Sequence, residues 1–260
     1  MKSVIVFTVV VLVLATGVWG RVPPGVNDTI GGPWPTGEEI MRRIDENLVV
    51  ESAVSRATMI IHGRSGTRTI TSKAWRKGRN NSLVEYLSPP REKGKKMLRL
   101  GDKIWNYVPE PNDRIITISG HLLRQAVMGS DLSYEDITEN DRLVERYEAV
   151  VTGEEQYEGR PCWVIGMTAT AKDVAYHSRR VWVDKERWLP LKEERFAKSG
   201  RLLKTTRITE AFQVEGRWYP KRMIFKDMLS RGNGTDYIIE SIDFDVQILD
   251  HMLTKAALRR

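Results

Sequence analysis

Residues 202–229 read LLKTTRITEAFQVEGRWYPKRMIFKDML, and this stretch decides the fold class. Two runs rich in β-branched and aromatic residues, Leu202–Val214 and Tyr219–Leu229, flank the turn pair Glu215-Gly216. Such runs around a short turn that contains glycine predict an antiparallel β-hairpin. The starting point is therefore a sheet whose neighbouring strands are also neighbours in sequence.

The same rhythm continues on both sides of this hairpin. Toward the N-terminus, short turns separate six more strand-like runs: Thr58–Ile61, Thr69–Lys77, Ser82–Leu87, Met97–Leu100, Ile104–Val108 and Arg114–Ser119. After Glu145 there are five others: Arg146–Glu154, Cys162–Ala169, Arg179–Asp184, Pro190–Ala197 and Tyr237–Ile248. Short turns exclude parallel crossovers, so we expect one antiparallel sheet. A sheet of about ten or eleven twisted strands curls or closes.

The last run predicts which face of the sheet is covered. Its apolar residues recur at even positions: Ile238, Ile242, Phe244, Val246 and Ile248. The residues between them are mostly polar, so one face is expected to be covered and the other solvated.

Two segments break the strand pattern and are predicted to be helical. Thr36-Gly37-Glu38-Glu39 is a capping box and opens a predicted helix over residues 37–49. Residues 120–140 form a second interruption, with a short helix near Leu122–Val127 and a further helical turn or loop after it. So few helices over so wide a sheet favour a mainly β (α+β) fold in which a helical lid covers an apolar cavity.

The N-terminus has the pattern of an export signal. Lys2 precedes the apolar run Val4–Leu14, and small residues lead to Gly20, near which we expect cleavage. The run is shorter than the roughly 20 residues of a membrane-spanning helix. We therefore predict a signal peptide over residues 1–20, an irregular Pro- and Gly-rich arm over 21–35, and a single domain over 36–260. Since no cysteine lies near the cleavage site, no lipid anchor is expected.

Composition and motifs argue against several functions. The net charge of +7 favours anionic partners, but the basic runs are interleaved with acids, which disfavours nucleic-acid binding. The single cysteine, Cys162, excludes a disulfide framework and a multi-thiolate metal site. No metalloprotease, serine-hydrolase or nucleotide-binding motif occurs, so we expect no enzyme and no cofactor.

A group of acidic residues could be mistaken for a metal site. It comprises Asp131, Glu135, Asp136, Glu139 and Asp141. Its spacing matches no calcium-binding loop, and acids beside short helical turns commonly cap them. We therefore expect no metal.

Three adjacent motifs resemble a known family. Tyr107–Pro111, Arg114–Gln125 and Val127–Asp136 together look like the signature of bacterial outer-membrane lipoprotein-sorting proteins, in the LolA-like and LolB-like superfamily of periplasmic carriers. The resemblance implies a half-open β-barrel with helices over its mouth, which binds acyl chains without catalysis. It also implies a free periplasmic carrier of lipid or lipoprotein acyl chains that shuttles them between the inner and outer membranes.

We predict the binding residues from this reading. The lid would comprise Ile40, Met41, Ile44, Leu48, Leu122, Leu123, Val127 and Met128, with Arg124 beside it for a lipid headgroup or carboxylate. The walls would comprise Trp105, Tyr107, Ile116, Ile118, Trp182, Phe225, Ile242 and Phe244.

The expected partners follow from the same resemblance and, for the membrane, from positive charge near the mouth of the barrel. They are an inner-membrane transporter of the RND or ABC type and a transiently contacted membrane surface. The alternative is a periplasmic sensor or interaction protein that uses the same cleft for a lipidated or misfolded partner.

Overall fold

Thirteen antiparallel strands form one sheet in the computed structural model, which describes residues 34–111, 113–139, 143–172 and 174–259. They are β1 (Ser52–Gly63), β2 (Gly66–Lys77), β3 (Asn81–Ser88), β4 (Lys96–Leu100), β5 (Lys103–Val108), β6 (Arg114–Ile118), β7 (Tyr147–Tyr157), β8 (Arg160–Ala169), β9 (Ser178–Asp184), β10 (Pro190–Phe196), β11 (Leu202–Val214), β12 (Arg217–Asp227) and β13 (Thr235–Phe244). All the predicted runs pair in this one sheet. It therefore has thirteen strands, more than the ten or eleven expected. The predicted signal peptide and residues 21–33 of the arm lie outside the described residues.

The order of strands shows that the sheet is curled and open. It runs β6-β5-β4-β3-β2-β1-β13-β12-β11-β10-β9-β8-β7. Pairing of β1 with β13 joins two meanders in the middle. The consecutive strands β6 and β7 form opposite edges, so the chain between them crosses from one edge to the other. We call this segment, residues 119–146, the insert.

The insert carries most of the helical structure outside the N-terminal helix. It contains single 3-10 turns at Gly120–Arg124 and Val127–Gly129, then α2 (Tyr134–Glu139) and α3 (Leu143–Arg146). The sequence predicted helix around Leu122–Val127, and the structure instead has two 3-10 turns there. Within the described ranges, no helix has the length and apolar character that a membrane span requires.

The N-terminal helix α1 (Gly37–Leu48) packs against β7–β9. The Thr36 hydroxyl caps it by accepting a hydrogen bond from the Glu39 N–H at 3.1 Å. The Glu39 carboxylate, expected to reach back to the cap, accepts hydrogen bonds from Arg42 and Arg43. Gly37 is required at the contact with β7, because a Cβ there would lie 2.2 Å from the Ala149 carbonyl oxygen.

We call the face of the sheet that contacts α1 and the insert the inner face. The opposite, outer face of β3 and β4 is covered by the C-terminal segment, where Ile248, Leu253 and Leu258 pack on Leu83 and Leu98. The sequence pattern predicted that Ile248 continues the inner face, and this prediction is wrong. The strand ends at Phe244, four residues earlier.

A β-bulge in β13 also changes which residues face inward. The pairing with β1 shifts between Ala57, opposite Ile239, and Arg56, opposite Ser241. An extra residue reverses the alternation of side chains. Tyr237 and Ile239 therefore face inward before the bulge, and Ile242 and Phe244 after it. The prediction that Ile238 shares the face of Ile242 is wrong.

Candidate functional site

A cavity of about 350 Å³ lies on the inner face of the central strands. Its volume is within the range of small-molecule binding sites, about 300–1,000 Å³. Most of its lining comes from β1–β4, β12 and β13, and the insert contributes three residues. The lining residues are Ala53, Ser55, Met59, Ile70, Ser72, Ala74, Arg76, Ser82, Val84, Tyr86, Met97, Val127, Leu132, Ile137, Tyr219, Met223, Phe225, Tyr237, Ile239 and Ile242.

Small side chains at alternating inner positions explain why this space is open. In β1 they are Ala53 and Ser55, and in β2 they are Ser72 and Ala74. Strand registry places Ser55 directly opposite Ala74, so the small residues form one continuous patch. The larger side chains around the patch cannot close over it, and the cavity results. Sequence reasoning missed this pattern because it searched for large apolar residues.

Three predicted binding residues line the cavity: Val127, Phe225 and Ile242. The other predicted lid residues of the insert lie close by without lining it. Leu122, Leu123 and Met128 are partly buried and pack around Val127, and Met128 also reaches the cluster around Ile70. Arg124 is exposed on the insert.

The helix α1 is not a lid over this cavity, which corrects the prediction for Ile40, Met41, Ile44 and Leu48. The first three are buried against β7–β9 in an ordinary hydrophobic core. Met41 also borders a separate cavity of about 260 Å³ beside β7. Leu48 is partly buried where three core clusters meet.

Two predicted wall residues lie on the wrong face of the sheet. Trp105 is paired with Leu98, and both Trp105 and Tyr107 pack under the C-terminal segment on the outer face. Their neighbours Ile104 and Asn106 point inward instead, where Asn106 donates a hydrogen bond to the Tyr134 hydroxyl. The prediction that Trp105 and Tyr107 line the cavity is therefore wrong, because the inward-facing positions of β5 are the even-numbered ones.

The remaining predicted wall residues are also displaced from the cavity. Ile116 is 36% exposed on the edge strand β6, and Ile118 is buried beneath the insert. The Trp182 indole N–H donates to Glu155 at 2.7 Å, and the Lys192 ammonium lies 4.0 Å from the ring centroid. Phe244 is buried behind the lining, with its ring packed edge-on against Tyr219 at 5.5 Å.

Buried ion pairs tie the insert to the far half of the sheet. Asp136 of α2 is 2% exposed and accepts hydrogen bonds from Arg195 of β10 at 2.9 Å and Lys204 of β11 at 2.5 Å. The Tyr176 hydroxyl donates to the same carboxylate at 2.6 Å. Arg195 also pairs with Glu193 at 2.7 Å. We call these five residues the Asp136 cluster.

The two carboxyl groups of the Asp136 cluster, Asp136 and Glu193, are ionised near neutral pH. Burial alone would raise the pKa of Asp136, but the charges on Arg195 and Lys204 outweigh it and lower the pKa to about 2. Burial likewise opposes ionisation of Glu193, yet Arg195 and Arg179 hold its pKa at about 2. The sequence interpretation of Asp136 as a helix cap is partly right, since it also accepts from the Ser133 N–H at 2.7 Å.

No metal site is evident within the described ranges. They contain no group of three or more His, Cys, Asp or Glu side chains arranged to hold a metal ion. Of the acidic group in the sequence, Asp131 accepts hydrogen bonds from the Thr235 hydroxyl and the Asp227 N–H, at 2.7 and 2.9 Å.

The fold and its cavity define a class of protein in which an open, curled antiparallel sheet carries an apolar cavity on its inner face. A DUF1329 family protein from Desulfovibrio piger is similar, with 26% identity, a TM-score of 0.79, and coverage of 85% of this chain and 97% of that one. A domain from Vibrio parahaemolyticus named for outer membrane lipoprotein sorting has 22% identity, a TM-score of 0.77, and coverage of 86% and 98%. A LolA superfamily protein from Nitrosomonas europaea has 22% identity, a TM-score of 0.71, and coverage of 86% and 100%.

These likenesses confirm the resemblance predicted from sequence at the level of the fold. A family described as "Uncharacterized protein" matches residues 78–260, and this chain belongs to that family. No curated protein matches the chain.

Proposed function

We propose that this protein binds a lipid or lipoprotein acyl chain in the 350 Å³ cavity and carries it through the periplasm. The cavity is the observation that carries the proposal, because its lining consists of apolar side chains, serines, tyrosines and one arginine. Such a lining excludes water from a hydrocarbon chain and offers no acid, imidazole or thiol for catalysis. The role we propose is therefore binding and transfer.

The energetics suit a reversible carrier. Each methylene transferred from water gains about 0.8 kcal/mol, so burial of about ten methylenes gains about 8 kcal/mol. Ordering of the chain reduces this sum, and single acyl chains bind membranes reversibly with comparable strength. A protein that holds one chain with similar free energy both loads from and unloads to a bilayer.

An exposed turn at the insert end of the sheet suits contact with a membrane. Met228 and Leu229, in the turn after β12, are 45% and 56% exposed, and the exposed Arg231 follows them. The turn adjoins the insert, since the Asp227 N–H donates to Asp131. Apolar side chains beside positive charge favour an anionic bilayer surface. In this proposal an RND-type or ABC-type inner-membrane transporter supplies the chain.

A cavity-filling substitution tests the proposal. Ala74→Phe places a ring in the cavity, whereas Thr69→Phe places the same ring on the exposed opposite face of β2. Displacement of two or three methylenes costs about 2 kcal/mol, so we expect roughly thirtyfold weaker binding of a fluorescent fatty acid by Ala74→Phe alone. Equal binding by both variants and the wild type would contradict binding in this cavity.

A second measurement separates a carrier from a sensor. Transfer of the fluorescent chain from donor to acceptor vesicles is expected to accelerate with wild-type protein and much less with Ala74→Phe. A protein that binds the chain without accelerating transfer would instead behave as a sensor.

A further inference from the structure

One cationic side chain enters the otherwise uncharged cavity. Arg76, near the end of β2, is half-buried and lines the end of the cavity opposite Ile70. Its neighbours across the two adjacent strands are Ala53 and Ser82, which are too small to fill the space around it. Within the part of the chain that the structure describes, no carboxylate lies within ion-pair distance of Arg76.

Arg76 makes one hydrogen bond to a described residue. Its guanidinium donates to the Tyr219 hydroxyl at 3.2 Å. Tyr219 belongs to β12, three strands away from β2 in the sheet order. The contact therefore spans the curl of the sheet, and the Tyr219 hydroxyl keeps its own proton for another acceptor.

A second tyrosine lies farther along the cavity. Tyr237 lines the cavity and, among the described residues, its hydroxyl has no hydrogen-bond partner. Burial raises the pKa of Tyr237 to about 12, the neighbouring Tyr219 adds to the rise, and the charge on Arg76 opposes it. Strand pairing sets Tyr237 opposite Met59, which is itself opposite Ile70, so Tyr237 belongs to the other end of the lining. The Arg76 guanidinium and the Tyr219 hydroxyl lie together at the Arg76 end.

Resting on the proposed function, we propose that this end binds the anionic head of a single-chain amphiphile. Arg76 supplies the charge, Tyr219 supplies a hydroxyl donor, and the chain extends along β2 toward Ile70. Six residues separate Arg76 from Ile70 at the other end of the lining, which gives about 20 Å at about 3.3 Å per residue. A carboxylate and a phosphate monoester share the required chemistry.

The volume favours one chain over two. At about 350 Å³ the cavity is near the lower limit for small-molecule sites. A two-chain phospholipid would leave hydrocarbon exposed to water, which removes much of the gain from burial. The ligand class that fits is a fatty carboxylate or its phosphate counterpart.

The test compares three ligands that share a twelve-carbon chain and differ in the polar head group. Binding of dodecanoate, dodecyl phosphate and the neutral dodecanol is measured by calorimetry with the full-length protein. Charge-assisted hydrogen bonds are worth about 1.5–3 kcal/mol, so wild type is expected to bind an anionic head roughly ten- to a hundredfold more tightly than dodecanol. Arg76→Gln should abolish that preference without weakening dodecanol binding, and Arg76→Lys should restore part of it. Arg56→Gln, at an exposed position of β1, controls for net charge.

Each outcome has a distinct meaning. Preference for dodecanoate or for dodecyl phosphate supports the proposal and identifies the source of the negative charge. Equal binding of all three ligands by wild type overturns the inference but leaves acyl-chain binding intact. Equal weakening of all three by Arg76→Gln assigns Arg76 a structural role and also overturns it. Failure of every ligand to bind overturns the proposed function itself.

Discussion

The ionic tie between the insert and the sheet makes the substitution Asp136→Asn informative. It keeps the shape of the side chain and removes the charge that Arg195 and Lys204 share. Arg195 is 3% exposed in its side chain, so water cannot replace the lost partner. Removing one member of a buried ion pair typically costs 3–5 kcal/mol. Since Arg195 keeps its bond to Glu193, we expect the low end, about 3 kcal/mol.

The measurement is urea unfolding of the purified protein, with a matched control at an exposed pair. Asp45→Asn breaks the ion pair with Arg79, whose side chains are 30% and 41% exposed. Exposed pairs contribute less than about 1 kcal/mol, so the control should unfold close to wild type. If Asp136→Asn costs no more than Asp45→Asn, the reasoning about the buried tie is refuted.

The pH dependence gives a second, independent check. The pKa of Asp136 is about 2 in the folded protein, below its ordinary value of 3.8. A lowered folded pKa contributes stability that is present above the unfolded pKa and is lost as the pH falls toward the folded one. The shift corresponds to about 2 kcal/mol. The stability gap between wild type and Asp136→Asn should therefore narrow by about that amount from pH 5 to pH 2, and a constant gap would contradict the assignment.

Two further substitutions test other contacts. Gly37→Ala should destabilise the protein by about 1–3 kcal/mol in the same unfolding assay, because its Cβ would meet the Ala149 carbonyl; an unchanged midpoint would show that α1 shifts freely. Leu229→Asp should weaken partition into anionic vesicles about tenfold or more in a sedimentation assay without loss of stability. Asn233→Asp, at an exposed position beyond the same turn, adds equal charge and controls for repulsion; equal weakening by both would count against apolar insertion.

Much of the sheet could be predicted from alternation because each hairpin is local. The hairpin of β11 and β12 and the turns of the N-terminal meander depend on residues within a few positions of one another. It was harder to predict which side chains of a strand lie on the inner face, as β13 shows. One extra residue between Ile239 and Ile242 exchanges the inner and outer positions, and only the pairing with β1 reveals it.

The candidate site was predicted less well, for two physical reasons. Large aromatic residues were predicted to line the cavity, but Trp105 and Tyr107 lie on the outer face. The cavity instead exists where the small side chains of Ser55 and Ala74 leave space. Contacts between residues far apart in sequence also could not be predicted from local patterns. Asp136 looked like a helix cap because its partner Arg195 is 59 residues away and meets it only when the sheet curls.

The same topology links stability to ligand exchange in the proposed carrier. The insert is joined covalently to β6 and β7 at the two edges, and Asp136 fixes its middle to β10 and β11. Val127 on the insert lines the cavity, and its neighbour Met128 packs against Ile70, at the end opposite Arg76. Opening that end while both edge strands stay paired requires α2 to leave Arg195 and Lys204. Asp136→Asn should therefore accelerate release of a bound chain in stopped-flow displacement, while Asp45→Asn leaves the rate unchanged. Equal release rates would mean that the chain leaves by the Arg76 end.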